Sequence, residues 1–305
     1  MKTKPSILLL AGTLLAGASL AAEDALVTTS WAEENLNNDD VRVVEVSVEP
    51  GVYERGHIPG AAHVRWHTDL VDTVRRDIVS REDFEALASR LGITPDTTVL
   101  LYGDKNNWFA AWAAWVFTLY GHDDVRLIDG GRGKWEAEGR PLSQRPFRAQ
   151  PTEYEVTEVR EDLRAALPDV VAVAEGDREG RLVDIRSADE YTGRIIAPAG
   201  VAELAVRAGH VPGAVNVPWG RAVDPETGTF LPAEELRALY AAEGIDGSEP
   251  VITYCRIGER SSHTWFALHH LLGYDVANYD GSWTEYGNSV GVPIENPAGS
   301  VWTGQ

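Results

Sequence analysis

The sequence predicts an α/β protein built from two tandem copies of one domain, each a parallel sheet flanked by helices. An internal repeat carries most of this prediction. GHIPGAAHV at 56–64 returns as GHVPGAVNV at 209–217, an offset of 153 residues. LLYGD at 100–104 leads through a Trp-rich apolar stretch to LYGHDDVRLIDGGRGKW at 119–135. ITYCR at 252–256 leads in the same order to LLGYDVANYDGSW at 271–283, at an offset near 152. VVEV at 43–46 and LVDI at 182–185 match less closely, and their spacing places an insertion in the second copy at IIAPAGVAELAVRAG, 195–209.

Taken in order, residues 1–21 read as a secretory signal. Lys2 and Lys4 give a basic start, Ile7 to Ala18 an apolar stretch too short to span a bilayer comfortably, and Ser19-Leu20-Ala21 a small-residue cleavage site. The first domain is predicted over 22–145, a linker over 146–156 within the proline-rich stretch RPLSQRPFRAQPTEYEV, and the second domain over 157–296. In each copy a β-rich run (VRVVEVSV; RLVDIRS) precedes the Gly-His-x-Pro-Gly turn, where proline fixes φ and glycine permits positive φ. An acidic helical segment follows (REDFEALASRLG; LPAEELRALYAAEG). Then come an apolar strand (TTVLLYG; PVITYC), a helix, and a last strand stopped by glycine (VRLIDGG; VANYDGS). Continuously apolar strands alternating with helices belong to a parallel sheet covered on both faces.

The totals narrow the function. The 305 residues suffice for two domains with cores of their own, and 44% hydrophobic with 24% charged residues is a globular composition. A formal charge of −20, or −22 once Lys2 and Lys4 leave with the signal, repels nucleic acid and anionic membrane. No other run approaches transmembrane length. The histidines show no spacing suited to zinc, and no cofactor or metal is expected. His57 and His210 sit in the Gly-His-x-Pro-Gly turns, where a structural hydrogen bond is expected. Trp108, Trp112 and Trp115 recur at helical spacing, as core or a domain interface would require.

One cysteine occurs in the chain, Cys255, within TYCRIGERSS. One thiol cannot form an internal disulfide, so its surroundings decide its role. It lies just past an apolar strand, in a short loop with Arg256, Gly258 and Arg260, ahead of a helix for which Ser261 or Ser262 is the expected N-cap. Binding sites of open α/β sheets lie beyond the carboxyl ends of strands. A helix N-terminus and two arginines favour a thiolate and would cradle an oxyanion, with Glu259 opposing unless it pairs with an arginine or points to solvent. His263, two helical turns on, is about 12 Å away, too far to act as a base.

The repeat, the GHxPGA turns and the loop CRIGERSSHTW, with the ending YDGSWTEYG, resemble the rhodanese family of sulfurtransferases in its two-domain form, closest to thiosulfate sulfurtransferases. The resemblance implies two rhodanese-like domains with the cysteine in the second only, and Gly103-Asp104 stands where the second copy has Cys255-Arg256. It also implies ping-pong sulfur transfer through a Cys255 persulfide, with thiosulfate as donor and cyanide or a small or protein thiol as acceptor. The loop residues Arg256, Ile257, Gly258, Glu259 and Arg260 would cradle the persulfide, and Arg186, Arg194, Arg256 and Arg260 would bind the donor. Other readings are a 3-mercaptopyruvate sulfurtransferase, a persulfide carrier, and a phosphatase or arsenate reductase. The last class in this fold uses Cys-x5-Arg, whereas here the arginine comes at Cys-x4-Arg and Ser261 occupies the next position.

Overall fold

The computed structural model describes residues 25–200 and 205–300, so the predicted signal segment lies outside the described residues. Among the described residues no helix is long and apolar enough to cross a membrane. The apolar, β-branched runs form the strands. The first half contains β1 (Leu26–Val27), β2 (Val41–Glu45), β3 (Ala62–His63), β4 (Val71–Asp72), β5 (Asp77–Ile78), β6 (Thr98–Tyr102) and β7 (Val125–Ile128). The second contains β8 (Arg181–Asp184), β9 (Val215–Asn216), β10 (Val251–Tyr254) and β11 (Val276–Asn278).

Two sheets result, in the orders β1-β7-β6-β2-β3 and β11-β10-β8-β9, with β4 and β5 forming a separate antiparallel hairpin. Every pairing within the two main sheets is parallel. The order β7-β6-β2-β3 is repeated strand for strand by β11-β10-β8-β9, so the sequence repeat is also a repeat of topology. In both copies the strand ahead of the active-loop position, β6 or β10, lies inside its sheet with neighbours on both sides. Such strands are buried on both faces, which explains TVLLY and VITY as unbroken apolar runs.

The helix Trp108–Leu119 is apolar around its whole circumference, as a helix enclosed on every side must be. It packs against the helix Glu259–Phe266 of the second domain, and one apolar core runs through both domains along this seam, from Val44 and Leu101 to Ile185, Cys255 and Trp265. The tryptophan stripe belongs to this seam. Trp108 meets Trp219 of the second domain edge-on at 4.9 Å, and Trp115 donates its indole N–H to the Leu163 carbonyl at 2.8 Å. Smaller apolar clusters cover the outer faces, around Trp135 in the first domain and Trp283 in the second.

Two aspartates at equivalent positions, each just past the last strand of its sheet, lock the halves together. Asp129 accepts the backbone N–H of Phe230 at 2.9 Å, and burial pushes its carboxyl up to about 6. Asp280 takes both nitrogens of a bidentate contact from Arg164 at 2.8 Å, and Arg164 reaches across to Asp77 of β5 at 2.7 Å. Between domains the chain runs without helix or strand over 144–160. It is nonetheless held to the first domain: Thr152 and Tyr154 donate backbone N–H groups to Ser89, and Val156 donates to Glu85. Arg164→Ala leaves two partly buried carboxylates without their shared cation. It should lower unfolding free energy by about 2 kcal/mol in urea titration, with the midpoint shifting and the slope unchanged.

Candidate active site

A buried ionic cluster lies beside the strand that leads into Cys255, and the two copies build it differently. In the second domain the Asp184 carboxylate takes Nε and Nη2 of Arg186, and Nη2 also donates to the Gly209 carbonyl at 2.7 Å. Tyr254 completes the cluster by accepting the Val211 N–H at 3.2 Å. In the first domain Glu45 takes Nη1 of Arg132 and the hydroxyls of Ser47 and Tyr102. Arg132 donates to the Gly56 carbonyl at 2.6 Å, and Tyr102 accepts the Ile58 N–H at 2.9 Å. Gly56 and Gly209 open the two Gly-His-x-Pro-Gly turns, so in each copy the cluster fastens the turn to the strand before the active-loop position. His57 and His210 stack on Tyr53 and Tyr191 and bond to those residues' carbonyls, the structural role expected of them.

This geometry corrects the expectation for Arg186. The side chain is 1% exposed, paired to Asp184, and its guanidinium lies 4.4 Å from the Trp283 ring. It faces the interior and holds the fold. Arg194 is on the surface, 71% exposed and ion-paired with Asp189 at 3.2 Å.

Cys255 is the first residue past β10. Its N–H donates to the Ser282 hydroxyl at 3.0 Å, and its carbonyl accepts the Trp283 N–H at 3.1 Å. The Arg256 carbonyl accepts the Thr284 N–H, so the first turn of the helix Ser282–Tyr286 anchors the start of the loop. Gly258 reverses the chain with φ +96, and a Cβ there would lie 2.5 Å from Cζ3 of Trp112 and 2.8 Å from the Asp280 Cα. Only glycine suits both the conformation and the gap. The following helix therefore starts at Glu259 with Gly258 at its N-cap, three or four residues before the serine cap expected from sequence. Ser261 and Ser262 lie inside it and donate their hydroxyls to the Gly258 carbonyl. The serine signal misled because these hydroxyls act as donors to the turn rather than acceptors for the helix.

The thiol is fully buried. Its sulfur accepts the Gly258 N–H at 3.1 Å and contacts Oε2 of Glu259 at 3.4 Å. Burial, and then the Glu259 carboxylate, push the thiol up from its ordinary range, and Arg260 offsets this only in part. The expected thiolate thus does not follow from the loop at rest; desolvation outweighs the arginine and the helix N-terminus. Glu259 itself pairs with arginines but points inward. Its Oε1 lies 3.8 Å from Arg256 and 3.7 Å from Arg260.

Arg260 is enclosed. It sits between Glu259 and the buried Glu190, which it meets at 3.3 Å. Burial would raise the Glu190 carboxyl, and Arg260 reverses this to leave it below its usual range. The guanidinium is thereby neutralised twice, which removes it as a free anion ligand. Arg256, with its side chain 17% exposed, is the less enclosed of the two loop arginines. Ile257 is buried against the shared core. His263 stacks on Phe230 at 4.3 Å, and burial drives it down to about 3, so it stays neutral. A cleft of about 1160 Å³ runs between the domains past Asp77, Arg164 and Asp280, and Cys255 does not line it.

Sequence reading missed Trp112 as the wall of the loop, Asp280 and Ser282 as its supports, and Glu190 behind Arg260. The match of LIDGG to NYDGS already marked Asp280 as an equivalent of Asp129; the other three carry no local signal. In the first domain the counterpart loop has no thiol and no room for one. A Cβ on Gly103 would lie 2.4 Å from the Val46 carbonyl oxygen, and Asp104 is spent on the N–H groups of Val48 and Glu49.

The model of the rhodanese-like domain matches this chain twice, over residues 28–138 and 167–289. The chain belongs to the rhodanese family. It is 53% identical over 280 residues to a Saccharopolyspora erythraea protein named "Putative thiosulfate sulfurtransferase", covering 91% of this chain and 98% of that one. It is also 53% identical over 280 residues to the sulfur carrier protein TtuD of Thermus thermophilus, covering 90% and 97%. Among solved structures, the 3-mercaptopyruvate sulfurtransferase SseA of Escherichia coli superposes with a TM-score of 0.72 at 23% identity, over 85% of this chain and 98% of that one. An anaerobic ergothioneine biosynthesis enzyme from Chlorobium limicola gives 0.77 at 24% identity, over 90% and 70%. These two share the fold.

Two outcomes follow from this geometry. Arg186→Ala strands the buried Asp184 carboxylate and should cost about 3–5 kcal/mol in chemical denaturation. A donor-binding arginine would instead raise KM with stability unchanged. Gly258→Ala should displace the loop from Trp112 and Asp280, and cut the rate of Cys255 modification while the far-ultraviolet circular dichroism stays native.

Proposed function

We propose that the protein is a thiosulfate sulfurtransferase that works through a persulfide on Cys255. The observation that carries this reading is the placement of the chain's one thiol: at the carboxyl end of an inner parallel strand, its sulfur on the Gly258 N–H, at the mouth of a helix. A sulfur there attacks the outer sulfur of thiosulfate, sulfite departs, and an acceptor removes the sulfur in a second half-reaction. The loop N–H groups and helix terminus supply the electrostatic support for the anionic persulfide. With Arg260 bound between two carboxylates, recognition of a compact dianion rests on the loop N–H groups and the helix terminus, with Arg256 beside them. The sequence holds no second cysteine to resolve the persulfide, so the acceptor is external: cyanide in an assay, or a small or protein thiol. The similarity to relatives named for thiosulfate supports this donor over 3-mercaptopyruvate. A tight Cys-x4-Arg loop suits one sulfur atom better than a tetrahedral phosphate or arsenate. The amino-terminal segment adds export, to a periplasmic location, to the proposal.

A second reading is a carrier that hands the persulfide to a partner protein, and the resemblance to a sulfur carrier favours it specifically. Intact mass after incubation with thiosulfate should rise by one sulfur atom and return on adding cyanide, with thiocyanate formed. Cys255→Ser should show no mass gain and no turnover while remaining folded. Wild-type activity in that variant would end the proposal, and sulfur loading with negligible turnover on cyanide or small thiols would leave the carrier reading.

A further inference from the structure

We propose that Glu259 is the proton acceptor for the Cys255 thiol, so that the active loop carries its own base. This rests on the persulfide reading above and adds the group that activates its nucleophile. The Glu259 carboxylate is divided in function. Oε1 faces Arg256 and Arg260 at 3.8 and 3.7 Å, longer than hydrogen bonds, which orients the group and leaves its lone pairs free. Oε2 lies 3.4 Å from Sγ, within reach for proton transfer from a thiol. Both groups are shut away from water: Cys255 is 0% exposed and Glu259 3%. Solvent therefore has no direct access to the thiol proton, and the carboxylate does.

The charges around the pair make this the economical route. Arg256 and Arg260 face Glu259, Glu190 stands behind Arg260, and Asp280, held by Arg164, lies against Gly258. From the first domain the loop meets the uncharged Trp112. A thiolate, an ionised Glu259 and a dianionic donor together would crowd four negative charges into a loop whose two arginines already have carboxylate partners. Moving the thiol proton to Oε2 creates the thiolate without adding net charge to the loop. The S–H bond breaks and its proton passes to Glu259, and a sulfur lone pair attacks the outer sulfur of thiosulfate. The donor S–S bond breaks with its electron pair leaving on sulfite. Glu259 then gives the proton to the departing sulfite, which leaves as hydrogen sulfite, and the persulfide anion remains.

The pair shares one proton, so the reactive form (thiolate beside protonated Glu259) has the same proton count as the resting form, and its fraction does not change with pH while only that proton is bound. Alkylation of wild-type Cys255 by iodoacetamide, followed by intact mass, should accordingly be flat across neutral pH. In Glu259→Gln the proton must go to solvent, and the rate should rise about tenfold per pH unit. Single-turnover persulfide formation from thiosulfate should be slower in Glu259→Gln at neutral pH by on the order of a hundredfold, with the deficit closing as pH rises. The proposal is overturned by a steep wild-type alkylation profile. It is equally overturned by a Glu259→Gln protein that reacts as fast or faster at neutral pH, the result expected if the carboxylate only repels the thiolate. A deficit constant with pH would likewise assign Glu259 a structural role. Alkylation needs no sulfur donor, so a wild-type protein with the flat profile but no persulfide from thiosulfate would refute the donor and leave the base in place.

Discussion

The narrow gap between Trp112 and Asp280 is the constraint on which the site depends. Gly258 fills it with a backbone no other residue suits, and that turn places an N–H on the Cys255 sulfur and starts the next helix at Glu259. One wall of the gap comes from the first domain. The other, Asp280, is held by Arg164, which is itself tied back to the first domain through Asp77. The thiol-free copy is therefore part of the instrument that shapes the loop. Isolating the second domain would remove a wall and half of a clamp together.

Much of this was legible in the sequence, for physical reasons. Inner parallel strands are apolar on both faces, so VLLY and VITY stand out, and the repeat sets their order. Cys255 was conspicuous because it was alone and because a strand-to-helix junction with glycine and arginines is an unusual place for a bystander. What the sequence concealed was the direction of each charged side chain. Arg186 two residues after Asp184 reads equally as a ligand or a buried pair, and burial by Trp283 and Gly209, distant in the chain, decided between them. Arg260 and Glu259 were ambiguous for the same reason, since Glu190 is seventy positions away from Arg260. The helix start shifted because serine hydroxyls can donate as well as accept.

The two buried clusters show one electrostatic need met in two ways. In each copy a carboxylate at the end of an inner strand, β2 or β8, requires an arginine that also reaches the carbonyl opening the Gly-His-x-Pro-Gly turn. Arg186 supplies it from beside the aspartate; Arg132 supplies it to the longer glutamate from a helix further along the chain. The order of the parts differs while their final positions agree, so aligning residues by number understates the likeness of the halves.

The contact between Gly103 and the Val46 carbonyl bears on reversibility. In the first copy the Val46 backbone occupies the volume that a side chain at 103 would need. Placing a cysteine at 103 would push β2 and β6 apart at their ends and disturb the buried Glu45 cluster beside them. A single substitution at 103 therefore cannot give the first half the loop of the second; the backbone around Val46 would have to move with it. The chain carries its one thiol in the second half, and the first half has no room for a side chain at the matching position.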